Sequence, residues 1–464
     1  MVDLRHAKGK TMSTSLINGA TRSSAKRNFE TLRDRIGQRE ARVVIMGGGY
    51  VGLTLAVEAA RTGFHVTCFE IDRERAFAIN NGESQVPGIG DEELGALVNS
   101  GSLVCGDMLS LLQGAEVIII CVATPLNTSR EPDTSQITAA AASISHCLEP
   151  GTLVVLESTT YPGTTEELVK PVLEATGLKA EQDFWLGYSP ERVDPGNKHF
   201  GMRNTPKIVS GVGPQSLGLV EAFYETMADS IVPVSSPAAA ELVKLYENIF
   251  RNINIAFANE MALLCDHMKL DIWEIIHAAS TKPYGFMPFY PGPGPGGHCI
   301  PVDPHYLSWK ARQHDFHCKF IELASSINDD MPRHVLGKVS EALNLLGKPI
   351  RDSLILVLGV AYKPDIGDTR ESAALRILPL LEKQGAQIAY HDPHVQTLHM
   401  LNPGDLESTP LTPEILGKAD CVVILTDHSS YPYEEIVEQA SLVVDCRNAL
   451  GKRGICGRAT VLTL

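Results

Sequence analysis

Short apolar runs that close on glycine or an acidic residue alternate with longer Ala/Leu-rich stretches along most of this chain. Arg42–Gly47 (RVVIMG) is the first, followed by a helical stretch to Thr62. His65–Glu70 (HVTCFE), Val117–Ala123 (VIIICVA) and Leu153–Glu157 (LVVLE) repeat the pattern. Strands this continuously apolar, separated by helices, predict a parallel sheet covered on both faces. A first α/β domain is therefore expected over 41–235. Ser236-Pro237 then supplies an N-cap and a first-turn proline, opening a helix that meets no breaker before about Leu270. Its apolar positions are not confined to one face, which predicts burial between domains or subunits. After a Pro/Gly loop and another helical stretch the strand rhythm restarts. Leu354–Gly359 (LILVLG), Gln387–His391 (QIAYH), Cys421–Thr426 (CVVILT) and Leu442–Asp445 (LVVD) predict a second α/β domain over 345–464. The segment 236–335 joins the two.

Length agrees with this division, since 464 residues exceed one core. A formal charge of −15 argues against nucleic acid or an anionic membrane as main partner. The acidity is uneven. Residues 1–40 hold nine Lys/Arg against four Asp/Glu, and with few apolar positions outside Phe29–Ile36 they are expected to form a mobile tail. No apolar run approaches the roughly 20 residues of a membrane helix, and the N-terminus has no secretory h-region. The ten cysteines lack paired spacings, and Cys68, Cys121, Cys421 and Cys446 sit inside apolar runs. They are expected to be reduced core thiols of a cytoplasmic protein.

Gly47-Gly48-Gly49-Tyr50-Val51-Gly52 fits G-x-G-x-x-G at the end of the first strand, with Glu70 closing the next strand about 20 residues on. The glycines let backbone approach a pyrophosphate at a helix N-terminus, and the carboxylate suits ribose hydroxyls. That predicts a Rossmann-like domain using NAD, because Glu70 would repel a 2′-phosphate. Lys244 and Asn248 share one helix face, with Asn252 a turn further. Helix lysines are usually solvated, but a neighbouring amide on a buried helix raises the case for a site. Cys299 stands in PGPGPGGHCIPVDP, beside His298 and ahead of Asp303 and His305. Metal ligand, structural loop residue and covalent nucleophile all stay open on spacing alone, although no CxxC or HExxH supports a metal. A nucleophilic thiol and a dinucleotide fold in one chain suggest oxidation of an aldehyde to an acid through a thioester.

GPGGHCIPVDP resembles the G-x-G-G-x-C-x-P-x-D signature of the UDP-sugar 6-dehydrogenases. GGGYVGL (47–53), CVATPL (121–126), ESTTYPGTT (157–165), SPERVDPGN (189–197), KLYEN (244–248), GVAYKPDIGDTRES (359–372) and VDCRN (444–448) follow in that family's order. The resemblance implies an NAD-binding domain, a central dimerisation segment and a UDP-binding domain. It also implies a double oxidation of the sugar C6 alcohol with two NAD per turnover. Cys299 would trap the C6 aldehyde, and Lys244, Asn248 and Asp303 would handle protons and the oxyanion. Glu191 and Thr159 would bind or activate the hydrolytic water. For NAD the implied contacts are Gly47, Gly49, Tyr50, Val51, Gly52, Glu70, Arg75, Thr124, Thr159 and Arg370. Substrate would meet Glu191, Arg192, Val193, Lys244, Asn248, Tyr290 and Gly297, with Lys363 and Arg447 on phosphate or uridine. A homodimer or higher homo-oligomer is implied, and no metal.

Two positions depart from the UDP-glucose pattern. Ile300-Pro301-Val302-Asp303 replaces the usual Leu-Pro-Lys-Asp. Where the family offers an arginine to the partner subunit, Thr281-Lys282-Pro283 leaves Lys282 as the nearest cation. FYPGPGPGGHCIPVDP instead resembles the branch acting on UDP-N-acetylhexosamines for surface polysaccharides. UDP-N-acetylglucosamine is favoured, then the manno or galacto epimer, with UDP-glucose as alternative. A two-electron hydroxyacid-type dehydrogenase and a nucleotide-binding protein without chemistry are the competing readings. The hydroxyacid-type dehydrogenase would not need Cys299, and the binding protein would not need Cys299, Lys244, Asn248, Asp303 and Glu191 together.

Overall fold

A computed structural model describes residues 29–86, 88–193, 197, 199–400 and 404–464. The chain divides into two units, one running to Lys244 without residues 128–131, the other holding 128–131 and Leu245–Leu464. The first unit is built on eight strands: β1 Arg42–Met46, β2 His65–Phe69, β3 Leu103–Gly106, β4 Val117–Ile120, β5 Leu153–Leu156, β6 Trp185–Tyr188, β7 Lys207–Gly211 and β8 Ile231–Pro233. Their order is β3-β2-β1-β4-β5-β6-β7-β8. The first six are parallel, whereas β7 runs antiparallel to β6 and β8 follows β7. Every residue of β4, β5 and β6 is buried, which is why the β4 and β5 runs read as continuously apolar rather than alternating. The sheet reverses its strand order between β1 and β4, and a ligand crevice forms at the carboxyl ends of such a pair.

Residues 29–40, assigned to a mobile tail, are ordered in part. Residues 29–38 form a helix whose Leu32 and Ile36 are buried in the first unit's core. Phe29 meets the Trp185 ring edge-on at 6.0 Å, and Arg35 Nε reaches Glu116 Oε1 at 2.7 Å. The periodicity near Phe29–Ile36 is thus the mark of a docked helix, and residues 1–28 lie outside the described residues.

The long helix spans Pro237–Met268, and Ser236 Oγ accepts from the Ala239 amide as an N-cap does (3.2 Å). Within the single chain one side of this helix is left uncovered. Leu242, Tyr246, Phe250, Phe257, Leu264 and Met268 are exposed, and at about 100° per residue they fall on one stripe.

In the second unit β9 Leu354–Leu358, β10 Gln387–His391, β13 Cys421–Ile424, β14 Leu442–Asp445 and β15 Thr460–Thr463 form a parallel sheet in the order β10-β9-β13-β14-β15. A two-stranded hairpin, β11 Thr397–Leu398 with β12 Leu406–Glu407, stands apart from it. This order reverses between β9 and β13, giving a second crevice of the same kind. All ten cysteines are thiols, with Cys68, Cys121, Cys421 and Cys446 buried as expected. Among the described residues no helix is long and apolar enough to cross a membrane.

Candidate active site

The turn after β1 is shaped for backbone-to-ligand contact. A Cβ on Gly47, which has φ +106°, would stand 2.6 Å from the Cys121 carbonyl oxygen, and one on Gly52 would stand 1.9 Å from Gly47 O. Open space surrounds Gly49 instead. The helix Tyr50–Thr62 that follows has no side-chain N-cap and no acidic residue in its first turn, so nothing carried by its own side chains competes with an anion for its N-terminus. Glu70, at the end of β2, accepts from the Gly48 amide (2.7 Å), the Asp72 amide (2.8 Å) and Arg75 Nη1 (3.2 Å). The donors at this turn and the buried carboxylate beside it fit a dinucleotide: amides for pyrophosphate, Glu70 for ribose. Across the order reversal, Thr124 Oγ1 donates to the Thr159 carbonyl oxygen (2.8 Å), tying the ends of β4 and β5 together. Gly47, Gly49, Tyr50, Val51, Gly52, Glu70, Arg75, Thr124 and Thr159 thus all lie at the carboxyl ends of the central strands.

Glu191 lies three residues past β6 and is buried. Its Oε1 accepts from the Arg192 and Val193 amides at 2.9 and 2.6 Å, and its Oε2 is 3.3 Å from Lys207 Nζ. Lys207, the first residue of β7, also pairs with Glu157, which in turn accepts from Tyr224 Oη at 2.5 Å. Burial pushes the Glu157 carboxyl up to about 7, against the pull of Lys207. Burial also works to raise Glu191, but Lys207, the Val193 amide and Lys244 together hold it below the usual carboxylate range. Burial opposes the Lys207 charge, yet the two carboxylates outweigh it and hold the ammonium above its ordinary value. Sequence reading missed Lys207, because the lysine of TPKIVSG looks like a solvated strand start and its partners are 50 and 16 residues away in sequence.

The remaining candidates belong to the second unit. Asn248 Nδ2 donates to Asp303 Oδ2 at 2.5 Å, and Asp303, itself buried, donates its amide to the Cys299 carbonyl at 2.9 Å. A helix residue, the first residue of the helix Asp303–Arg312 and the cysteine loop are therefore linked. An amide ladder fixes the loop's entry: Asn328 bridges Asn252 (2.7 Å) and Asn259 (2.9 Å), and Asn259 Oδ1 accepts from the Gly292 amide (3.0 Å). All three asparagines are buried; Asn252 had been noted on the helix face, while Asn259 and Asn328 carry no local signature. The loop's exit is held where the Gly297 amide donates to the Arg370 carbonyl (3.0 Å). Gly297 has φ +79°, and a Cβ there would press within 2.9 Å of the Tyr362 ring.

His298, read as a mere neighbour, has Nδ1 3.1 Å from Cys299 Sγ. Arg370 forks onto Asp368; that pairing is the main reason its charge is strengthened, with Cys299 contributing. Arg447 follows β14, donates Nε to the Leu425 carbonyl (2.8 Å) and occupies space that a side chain on Gly292 would need. Burial weakens its charge, which an anionic ligand would restore. Lys363 sits in the loop after β9, so Arg447, Lys363 and the Leu425 carbonyl all border the second order reversal. Tyr290 stacks on Trp273 at 5.9 Å. Lys282, in place of the expected arginine, lies over the exposed Tyr284 ring at 5.1 Å.

Asp365, His394 and His428 bring three potential metal donors within 4.8 Å of one another. Both His428 nitrogens are engaged, however. Nδ1 accepts from the Asp365 amide (2.9 Å) and Nε2 faces Asp392 (3.1 Å), which also accepts from the Val360 and Ala361 amides. That bonding closes the end of β9 and leaves the imidazole no lone pair for a cation.

Comparison with known proteins agrees with both crevices. Residues 41–228 match the NAD binding domain of the UDP-glucose/GDP-mannose dehydrogenase family, 238–330 its central domain and 356–452 its UDP binding domain. A UDP-N-acetyl-D-mannosamine dehydrogenase of Pyrococcus horikoshii is 34% identical over 88% of this chain and 96% of its own. A UDP-N-acetyl-D-glucosamine 6-dehydrogenase of Pseudomonas aeruginosa is 33% identical over 85% and 92%. The solved UDP-D-ManNAc dehydrogenase of Pyrococcus horikoshii superposes with a TM-score of 0.82, at 33% identity over 90% and 98%. The chain belongs to the UDP-glucose/GDP-mannose dehydrogenase family and is an NAD-dependent UDP-sugar dehydrogenase.

Proposed function

We propose that this enzyme oxidises the C6 alcohol of a UDP-N-acetylhexosamine to the carboxylate, releasing two NADH, and that UDP-N-acetylglucosamine is the preferred sugar. The observation that carries the reading is the cysteine loop: fixed at Gly292 and Gly297, with Asp303 bonded to Asn248, it holds one thiol in a preorganised frame. Relatives named for N-acetylmannosamine and N-acetylglucosamine support the acetamido class equally, and Val302 in place of lysine favours it over glucose.

NAD, when bound, would supply the hydride acceptor at both oxidations, and Gly47–Gly52 and Glu70 would hold it. The chain's own residues do the rest. Lys244 and Asn248 stabilise the developing alkoxide, one by charge and one by an amide donor. Cys299 Sγ adds to the C6 aldehyde carbonyl, forming a thiohemiacetal; loss of hydride from its C6 leaves a thioester on the sulfur. Glu191 and Thr159 position water, whose oxygen takes the acyl carbon as the thiol leaves, freeing the acid. Lys363 and Arg447 hold the diphosphate, where fork geometry and charge suit it, and Arg370 contacts the dinucleotide. The product acid suits surface polysaccharide synthesis, and the active form is a homodimer through the exposed helix stripe.

The test is a panel of UDP-sugars scored for NADH. Two NADH per UDP-N-acetylglucosamine, with Cys299→Ser stalled before acid release, is the expected result. Full turnover to the acid by Cys299→Ala would remove the covalent mechanism, and one NADH per sugar would indicate a two-electron dehydrogenase. A higher kcat/KM with UDP-glucose than with any acetamido sugar would establish the alternative substrate.

A further inference from the structure

Lys207 is one of the few lysines buried in this protein, with a side chain 4% exposed. It touches the two buried carboxylates Glu157 and Glu191, and its ammonium lies 4.9 Å over the Tyr224 ring. Three strands contribute: Glu157 directly follows β5, Glu191 follows β6 and Lys207 opens β7. The antiparallel turn of β7 is what brings its first residue to the carboxyl ends of β5 and β6, where the chemistry of such a sheet is placed. A fully parallel β7 would deliver its last residue there instead.

We propose that Lys207 is a positioning residue, which uses its ammonium to hold Glu191 as an aimed, ionised carboxylate while Glu157 and Tyr224 fix the ammonium from the other side. The proposal rests on the reading that Glu191 positions the hydrolytic water. Glu191 Oε1 is fully used by the Arg192 and Val193 amides. Its Oε2, 3.3 Å from Lys207, is the oxygen that no backbone amide occupies, and it is the one that takes a proton from water. The groups that bear on Glu191 are Lys207, Glu157 and Lys244, with Cys121 facing both carboxylates and Tyr224 acting through Glu157. Of these only Lys207 and Lys244 bring positive charge, and of the two it is Lys207 that hydrogen-bonds the carboxylate, which Glu157 also hydrogen-bonds. The proton that water gives up passes to Glu191 Oε2 as the acyl–sulfur bond breaks, and the departing thiolate is reprotonated from solvent. Nothing is oxidised or reduced in the step. Glu157 serves as the buffer: with its carboxyl already drawn up by burial, it takes a proton before Glu191 does.

The experiment is the pH dependence of kcat, together with the mass of quenched enzyme, in Lys207→Met, Lys207→Arg and Glu157→Gln of the full chain. The rate-competent form of Glu191 is ionised, so removing Lys207 raises the acid limb of the profile. A shift of about 1–2 pH units upward is expected in Lys207→Met. A UDP-sugar thioester should accumulate on Cys299, with KM for NAD unchanged, and Lys207→Arg should return the limb toward the wild-type position. Glu157→Gln keeps the ammonium and removes its other carboxylate, so its limb should stay or fall. A folded Lys207→Met enzyme with a wild-type limb and no thioester overturns the proposal. If that variant does not fold, an upward shift in Glu157→Gln overturns it and a downward or unmoved limb supports it. Failure of the covalent reading is a separate result, seen as turnover in Cys299→Ala.

Discussion

Glu70 uses both carboxylate oxygens on the protein itself, yet stays at the turn where the dinucleotide ribose belongs. Oε2 accepts from Gly48 and Arg75 and Oε1 from Asp72, so the carboxylate is aimed before any cofactor arrives. A 2′-phosphate would face that fixed negative charge in a buried setting, where it is poorly screened. Glu70→Ser should therefore lower the ratio of kcat/KM for NAD to that for NADP by tenfold or more, about 1.4 kcal/mol, with some loss on NAD as well because the Gly48 amide loses its acceptor. Steady-state kinetics with both cofactors decide it; an unchanged ratio would remove Glu70 from cofactor selection. The place of Glu70 was legible in the sequence because it follows from a local fingerprint. Lys207 was not, because its partners come from two other strands and only the sheet order makes them neighbours. Asn259 and Asn328 were invisible for the same reason.

At the scale of elements, the helix Pro237–Met268 clamps the segment after β5. Glu241, one turn before Lys244, accepts from the Gly163 amide (2.5 Å), the Thr165 amide (2.9 Å) and Thr165 Oγ1 (2.7 Å). Burial pushes its carboxyl from 4.5 up to about 7, against those three donors. The folded state then binds a proton that the unfolded state does not over that window, so stability falls as pH rises from 4.5 to about 7. Glu241→Gln has no such proton. Relative to wild type it should gain on going from pH 4.5 to pH 8, by up to about 3 kcal/mol for a shift of this size. Denaturant unfolding at several pH values measures the slope rather than the absolute stability, which the lost acceptor also changes. Parallel slopes in the two proteins would show that Glu241 is ionised throughout. Strands whose runs are long and continuously apolar were legible, as in β1, β4, β5, β9 and β13, whereas β6 and β7, buried but for Gly211, were missed, because WLGY and KIVSG interrupt their apolar positions with glycine, serine or lysine. Short strands such as β8, with exposed Val232, and β15, whose first two residues are exposed, were missed too, because half-exposed edges carry no such signal. Pro332, inside the helix Lys319–Leu345, also shows tertiary packing overriding a local breaker, since it is buried.

For the whole molecule, the exposed stripe on the long helix is the feature that a monomer leaves unexplained. Tyr246 is 71% and Phe257 57% exposed; with Leu242, Phe250, Leu264 and Met268 they recur at intervals of four and seven residues along one side. That spacing is the seam of a helix packed on another helix, whereas Lys244, Asn248 and Asn252 fall on the opposite side by the same periodicity. Burial on both sides was inferred from the sequence, and a second copy of the same helix would supply the missing one. A self-complementary pairing of this kind places each apolar side chain against its counterpart twice, so one charge introduces two unpaired charges into the interface. Phe257→Glu should accordingly convert the proposed dimer to monomer in sedimentation at micromolar concentration, while far-UV circular dichroism stays unchanged. A control at exposed Phe200, away from the helix, should leave the mass at that of the dimer. If Phe257→Glu retains the wild-type mass, the stripe is not the contact between copies. If wild type itself sediments at 50.3 kDa, the dimer is excluded at that concentration.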